Sequence, residues 1–140
     1  MTILRQYLFL IPVLVALFSE VTKVVWHGIK TGDYQEKLFQ PGGMPSTHSA
    51  IVTSLIIVIG TKLGLDSPEF DIAFVFACLT WYDAFSSRRA IGEQAKILNK
   101  LQHWRHFSER LGHTGLEVCG GIVFGAVVTL IGIEMSGTWF

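Results

Sequence analysis

Charged side chains are scarce in this sequence. It has 11 Lys and Arg against 11 Asp and Glu, or 16% of 140 residues, and no net charge. Soluble domains carry about 25% charged residues, and a nucleic-acid-binding surface needs a basic excess that is missing here. Cysteine is rarer still. Cys78 and Cys119 both sit inside apolar runs with no CxxC or Cys/His spacing beside them, so they read as buried small hydrophobes rather than a metal pair. Long linkers, low-complexity tracts and internal repeats are also missing, so residues 1–140 read as one domain. No small-x-small cleavage pattern follows the first apolar run, where Ser19, Glu20 and Lys23 continue it. A retained membrane helix is expected there, not a signal peptide.

Apolar residues fill the space that charge leaves. They make up 50% of the chain, and the mean hydropathy is +0.46, which points to a membrane. Four apolar segments stand out: 3–26, 49–65, 70–85 and 115–135. The second and third are joined by Asp66, Ser67, Pro68 and Glu69, a link short enough to make an antiparallel helical hairpin. Gly120, Gly121 and Gly125 in the fourth would permit close helix contact. Between the third and fourth, RRAIGEQAKILNKL sets Ile91, Ala95, Leu98 and Leu101 on one face with charges opposite. The expected fold is all-α, an integral membrane bundle of four transmembrane helices plus a cytoplasmic amphipathic helix. Loops 27–48 and 86–112 then share one side and hold eight Lys/Arg, which puts both loops in the cytoplasm and both termini outside.

The stretch PGGMPSTHSA, residues 41–50, precedes the second span. Pro45 suits a first helical turn. Gly43 loosens the approach, and Ser46, Thr47, His48 and Ser49 fall where free N–H groups and the helix dipole attract anions. An ordinary capped helix start with a chance histidine is the competing reading. In the assumed topology Lys23, His48, Arg88, Arg89 and His113 all reach the same membrane face: three cations, two imidazoles and a hydroxyl-rich helix start, the groups that bind and transfer a phosphate. Glu20 and Lys23 share a helical face, though a snorkelling interfacial lysine would look the same. Glu117 lies four residues after His113, so it can fix the imidazole tautomer and leave the second nitrogen free to attack, or serve only as a helix cap. His48 is the free candidate for general acid. His103 and His106 form HxxH with no third ligand evident, so solvated histidines are the simpler reading.

PSTH followed by HTGLE resembles the PSGH and HxxxD signatures of the lipid phosphate phosphatase and vanadium haloperoxidase superfamily. More closely, GGMPSTHSA, YDAFSSRRAIGEQAKILN and LGHTGLEV, in that order, resemble the small bacterial and plant branch of divergent phosphatidic acid phosphatase-related proteins. The resemblance implies a metal-independent phosphatase, without cofactor, acting through a phosphohistidine in a bacterial inner membrane or plastid-type membrane. By position, His113 matches the nucleophile, Glu117 its orienting carboxylate, His48 the general acid and Ser46 a phosphate ligand. Lys23 is the candidate for the first-motif lysine. Thr47 and Gly43 are expected beside the phosphate, and Arg88 or Arg89, which match no superfamily motif, are expected to supply its guanidinium from the preceding segment. Asp83 would position the arginines or join a cation site, and the first is favoured. No KxxxxxxRP surrounds Lys23, Phe107 stands where the larger superfamily has arginine, and Glu replaces Asp at 117. The expected substrate is a lipid phosphate monoester or prenyl (di)phosphate, with self-association left open. A non-catalytic lipid- or anion-binding membrane protein, or a small channel or transporter, are the rival functions.

Overall fold

The computed structural model describes residues 8–32, 43–109 and 112–137. All regular elements among them are helices: α1 Leu10–Thr31, α2 Thr47–Leu63, α3 Pro68–Phe85, α4 Ser87–Leu101 and α5 Gly115–Ser136. Their boundaries follow local chemistry. Ser67 caps α3 by accepting from Phe70 N at 3.3 Å, Pro68 fills the first turn, and Glu69 and Asp71 sit at the positive end of the dipole. Gly32 and Gly137, with φ of 78° and 66°, close α1 and α5 in the left-handed conformation that glycine tolerates.

The central helix is α2, which packs against α1, α3 and α5; α1 also meets α5, and α4 leans on α3. Beside an aliphatic cluster of Leu8, Ile11, Val15, Val58 and Ile133, much of what lies between the helices is small or polar. Ser19, Ser49, Ser54, Ala50, Ala77 and Thr129 are fully buried, whereas Phe9, Leu17, Ile72, Leu79, Val123 and Met135 are all more than half exposed. A water-soluble protein sorts its side chains the other way. In a bilayer large apolar side chains gain nothing by turning inward, so small residues and interhelical hydroxyl bonds hold the helices together. The closest approach shows the same rule. A Cβ added at Gly121 would lie 2.4 Å from the Ser46 carbonyl oxygen, and one at Gly125 2.4 Å from that of Ala50.

Several expectations change here. Two helices among the described residues, α1 and α5, each 22 residues, are long and apolar enough to cross a membrane. The other two candidates are weaker: α2 is apolar but has 17 residues, and α3 has 18 residues with three carboxylates, Glu69, Asp71 and Asp83. Residues 27–31, expected in a loop, continue α1. No helix breaker intervenes there before Gly32, and Lys30 lies over the Trp26 ring at 4.9 Å, one turn away. Lys23 therefore sits inside the helix, about 12 Å of helical rise before its end. Pro45 precedes the Ser46 N-cap instead of entering the first turn of α2. Both cysteines are exposed, not buried, because they fall on the outward faces of α3 and α5. His103 and His106 are exposed in an irregular segment, so helical spacing does not relate them. The expected amphipathic helix exists as α4, yet of its apolar face only Ala95 is covered; Ile91, Leu98 and Leu101 are exposed.

Candidate active site

The N-terminus of α2 is pinned from two sides. Ser46 Oγ caps it, accepting from Ser49 N at 3.4 Å and from the Ser49 hydroxyl at 3.0 Å, while Ser46 N donates to the Glu117 carbonyl at 3.2 Å. Ser46 is consequently fully buried. Gly43, at φ 94°, leads into this turn; Pro41 and Gly42 lie outside the described residues. On the opposite side the Thr47 hydroxyl donates to Glu20 Oε1 and sits 3.0 Å from Ser19 Oγ. Thr47 has given its proton to Glu20, so Ser19 is the donor in the second contact. The same Glu20 oxygen accepts from Lys23 Nζ at 2.9 Å.

Lys23 is 6% exposed, and Glu20 is its one hydrogen-bond partner among the described residues. An ammonium buried that far normally satisfies more of its three donors. Besides Glu20, both histidines, His48 and His113, lie within its electrostatic reach.

His113 sits just before α5, held by its backbone as much as by its ring. Its N–H donates to the Ala84 carbonyl at 2.9 Å, near the end of α3. Gly112 before it, at φ 95°, passes so close to the α3–α4 junction that a Cβ there would lie 2.5 Å from Arg89 N. The ring Nδ1 is 3.3 Å from Glu117 Oε2, and that oxygen also accepts from Thr114 N at 2.9 Å while Thr114 Oγ1 caps α5. The capping and orienting roles that the sequence left as alternatives coexist in one carboxylate. Burial pushes the His113 pKa below the ordinary histidine value; Lys23 and His48 act in the same direction, and Glu117 opposes them. The imidazole is therefore neutral at pH 7, with Nε2 left for chemistry.

His48, exposed at the first turn of α2, lines a cleft of about 440 Å³ between α2 and α3. Asp83 and Arg88 share its mouth, and Arg88 Nε donates to Asp83 Oδ2 at 2.7 Å. Arg89 is not brought there. It is 63% exposed and runs along α4 to Glu93 at 3.3 Å, because a one-residue step on a helix turns a side chain by about 100°. Among the described residues no three His, Cys, Asp or Glu side chains converge as metal ligands. Sequence reasoning noted Glu20 only as a neighbour of Lys23 and missed its tie to Thr47. Ser19 was noted only as continuing the first apolar run, and the roles of Ala84 and Gly112 were missed. The signal for Glu20 was its i,i+3 spacing to Lys23 within an apolar run; that for Gly112 was a glycine directly before the histidine.

Described residues whose regular elements are all helices, with large apolar side chains outside, buried hydroxyls and a buried ammonium inside and half-buried carboxylates beside them, make a membrane protein with a polar site at one end of its bundle. The chain belongs to the divergent PAP2 family, whose pattern it matches over residues 4–128. It is 32% identical to the uncharacterized membrane protein YuiD of Bacillus subtilis, over 94% of this chain and 96% of that one. No solved structure matches it.

Proposed function

We propose that the protein is a phosphatase that hydrolyses a lipid phosphate monoester or prenyl (di)phosphate through a phosphohistidine. The observation that carries this reading is the buried Lys23 ammonium, which has one hydrogen-bond partner among the described residues and lies close enough to His48 and His113 to act on them electrostatically. A phosphate oxygen is the acceptor it lacks. In the proposed reaction His113 Nε2 attacks phosphorus, the bond from phosphorus to the ester oxygen breaks, and His48 protonates the departing oxygen. Water then attacks the phosphohistidine while His48 takes its proton, and inorganic phosphate leaves. Lys23 and Arg88 offset the charge that builds on the phosphoryl oxygens. Glu117 and Asp83 position His113 and Arg88. Thr47 acts through its first-turn backbone N–H, since its hydroxyl is engaged with Glu20, while Ser46, whose N–H and hydroxyl are taken by the Glu117 carbonyl and the cap, holds that turn in place. Gly43 shapes the turn, and Arg89 is left out of this machinery.

In this proposal α1, α2, α3 and α5 all span the bilayer and α4 lies in the cytoplasmic interface, with both termini outside. The short α2 suits such a role because its N-terminus is covered by α1 and α5. The test is phosphate release from phosphatidic acid, phosphatidylglycerophosphate and prenyl phosphates by purified protein, in detergent and in the presence of a chelator. His113→Ala and His48→Ala should each abolish release while the melting temperature is kept; full activity in either overturns its role. One observation favours a second reading, a non-catalytic anion-binding protein. Lys23, Arg88 and His113 already have the carboxylates of Glu20, Asp83 and Glu117. Vanadate binding without turnover would select that reading.

A further inference from the structure

We infer that the seam between α2 and α3 is a groove for the hydrocarbon chain of an amphiphilic phosphate, entered sideways from the bilayer. The inference rests on the phosphatase reading and adds what lies on the far side of the bond that is cut. His48, Ile51 and Val52 follow one another at i, i+3 and i+4 on α2; Phe76, Leu79, Thr80 and Asp83 follow at i, i+3, i+4 and i+7 on α3. Together with Arg88 they line one cleft. The two helices run antiparallel, so polarity is sorted along the seam. His48, Asp83 and Arg88 stand at the end nearest His113, and the other five residues continue away from it. From Asp83 to Phe76 is about 10 Å of helical rise.

On its inner side α3 buries the small Ala73 and Ala77, 5% and 0% exposed. The open side is flanked by Phe76 and Leu79, 54% and 63% exposed. The hydroxyl of Thr80 donates to the Phe76 carbonyl at 2.8 Å, so it is spent on its own helix and offers a ligand nothing polar. A phosphate without a chain would meet only the mouth. One hydrocarbon chain whose phosphate sits at His48 and Arg88 complements both halves, charge to charge at the mouth and methylene to side chain below it.

The experiment uses the full-length protein in phosphatidylcholine nanodiscs and a dodecyl phosphate carrying a diazirine in its chain. Photolabel located by mass spectrometry is expected at Ile51, Val52, Phe76, Leu79 or Thr80, and unmodified dodecyl phosphate should suppress it. Kinetics supply the second arm. Thr80→Phe fills the groove, and the KM for dodecyl phosphate relative to that for p-nitrophenyl phosphate should rise about 10-fold. Thr80→Val removes the hydroxyl without filling the space and should move that ratio less than about twofold, as expected of volume-conserving changes at a wall. Label on Met44 or Val123 instead overturns the groove. So does a seam left unlabelled because a second copy of the chain covers it, or a Thr80→Phe whose two KM values rise together. A wild-type protein labelled in the seam that releases phosphate from neither compound overturns the phosphatase reading and leaves the groove standing.

Discussion

The Glu117 carboxylate reaches His113 Nδ1 at 3.3 Å with the same oxygen that accepts from Thr114 N. Orientation of the imidazole and closure of the α5 N-terminus therefore depend on one atom, and two substitutions separate them. Glutamine also serves in a capping box, so Glu117→Gln should keep the fold and lower kcat about 100-fold through the lost carboxylate. Glu117→Ala should lose activity and also about 1 kcal/mol of stability as the cap goes. Phosphate release and thermal melting on both variants check this. Equal melting of the two would remove the capping role.

Burial holds the His113 pKa below its unfolded value of about 6.5. Below that pH the unfolded chain binds a proton that the folded protein resists, so the unfolded state gains as pH falls. The contribution of His113 to stability should be complete above about pH 6.5 and be lost as pH drops through the folded pKa. Melting curves between pH 7.5 and 5 should show this slope, and His113→Gln should flatten it. Turnover should persist to more acidic pH than an ordinary histidine would allow.

Gly121 and Gly125 face the backbone of α2 with no room for a methyl group, whereas a Cβ at Gly120 would meet only the flexible end of Met44, at 2.7 Å from Cε. Gly121→Ala and Gly125→Ala should each cost about 1–3 kcal/mol and reduce activity by shifting Ser46 and the first turn of α2. Gly120→Ala should melt close to wild type, because the thioether can swing away. Melting in a single detergent compares the three directly.

Glu20 supplies the one carboxylate paired with Lys23 among the described residues. Glu20→Leu leaves an unpaired ammonium and should be strongly destabilising, by about 3 kcal/mol or more if the site stays dry. Pairing it with Lys23→Met should restore most of the stability, since an apolar pair can replace a buried ion pair, but not activity. Recovery of turnover in the double variant would exclude Lys23 from the phosphate site.

Arg88 and Arg89 are adjacent in sequence but diverge in space, Arg88 to Asp83 at the cleft and Arg89 to Glu93 along α4. Arg88→Ala should raise KM and lower kcat by a combined factor of about 100, whereas Arg89→Ala should stay within about twofold, as exposed ion pairs contribute little. Steady-state kinetics on the two variants decide the matter.

Much of this architecture was legible from residue order alone. The apolar runs, the Ser-Pro turn before α3 and the i,i+4 spacing of His113 and Glu117 are local signals, and helices are local structures. What failed was either longer in range or set by the solvent. Residues 27–31 looked like a loop because a polar string resembles one, although nothing in it ends a helix before Gly32. The cysteines seemed buried because burial was judged by a rule for water, and in lipid the outward face is the apolar one. The tie from Glu20 to Thr47 joins positions 27 apart that no periodicity connects. Arg89 was grouped with Arg88 by adjacency, which a helix undoes.

The hydrogen bond from His113 N to Ala84 O and the tight passage of Gly112 over Arg89 fasten the His113 imidazole to the elbow from which α4 departs. With Ile91, Leu98 and Leu101 uncovered, the interfacial placement proposed for α4 makes it an oar resting on the lipid headgroups. A change in headgroup packing that tilts the oar must be felt at the elbow, so turnover should vary with the physical state of the surrounding membrane even when substrate is saturating.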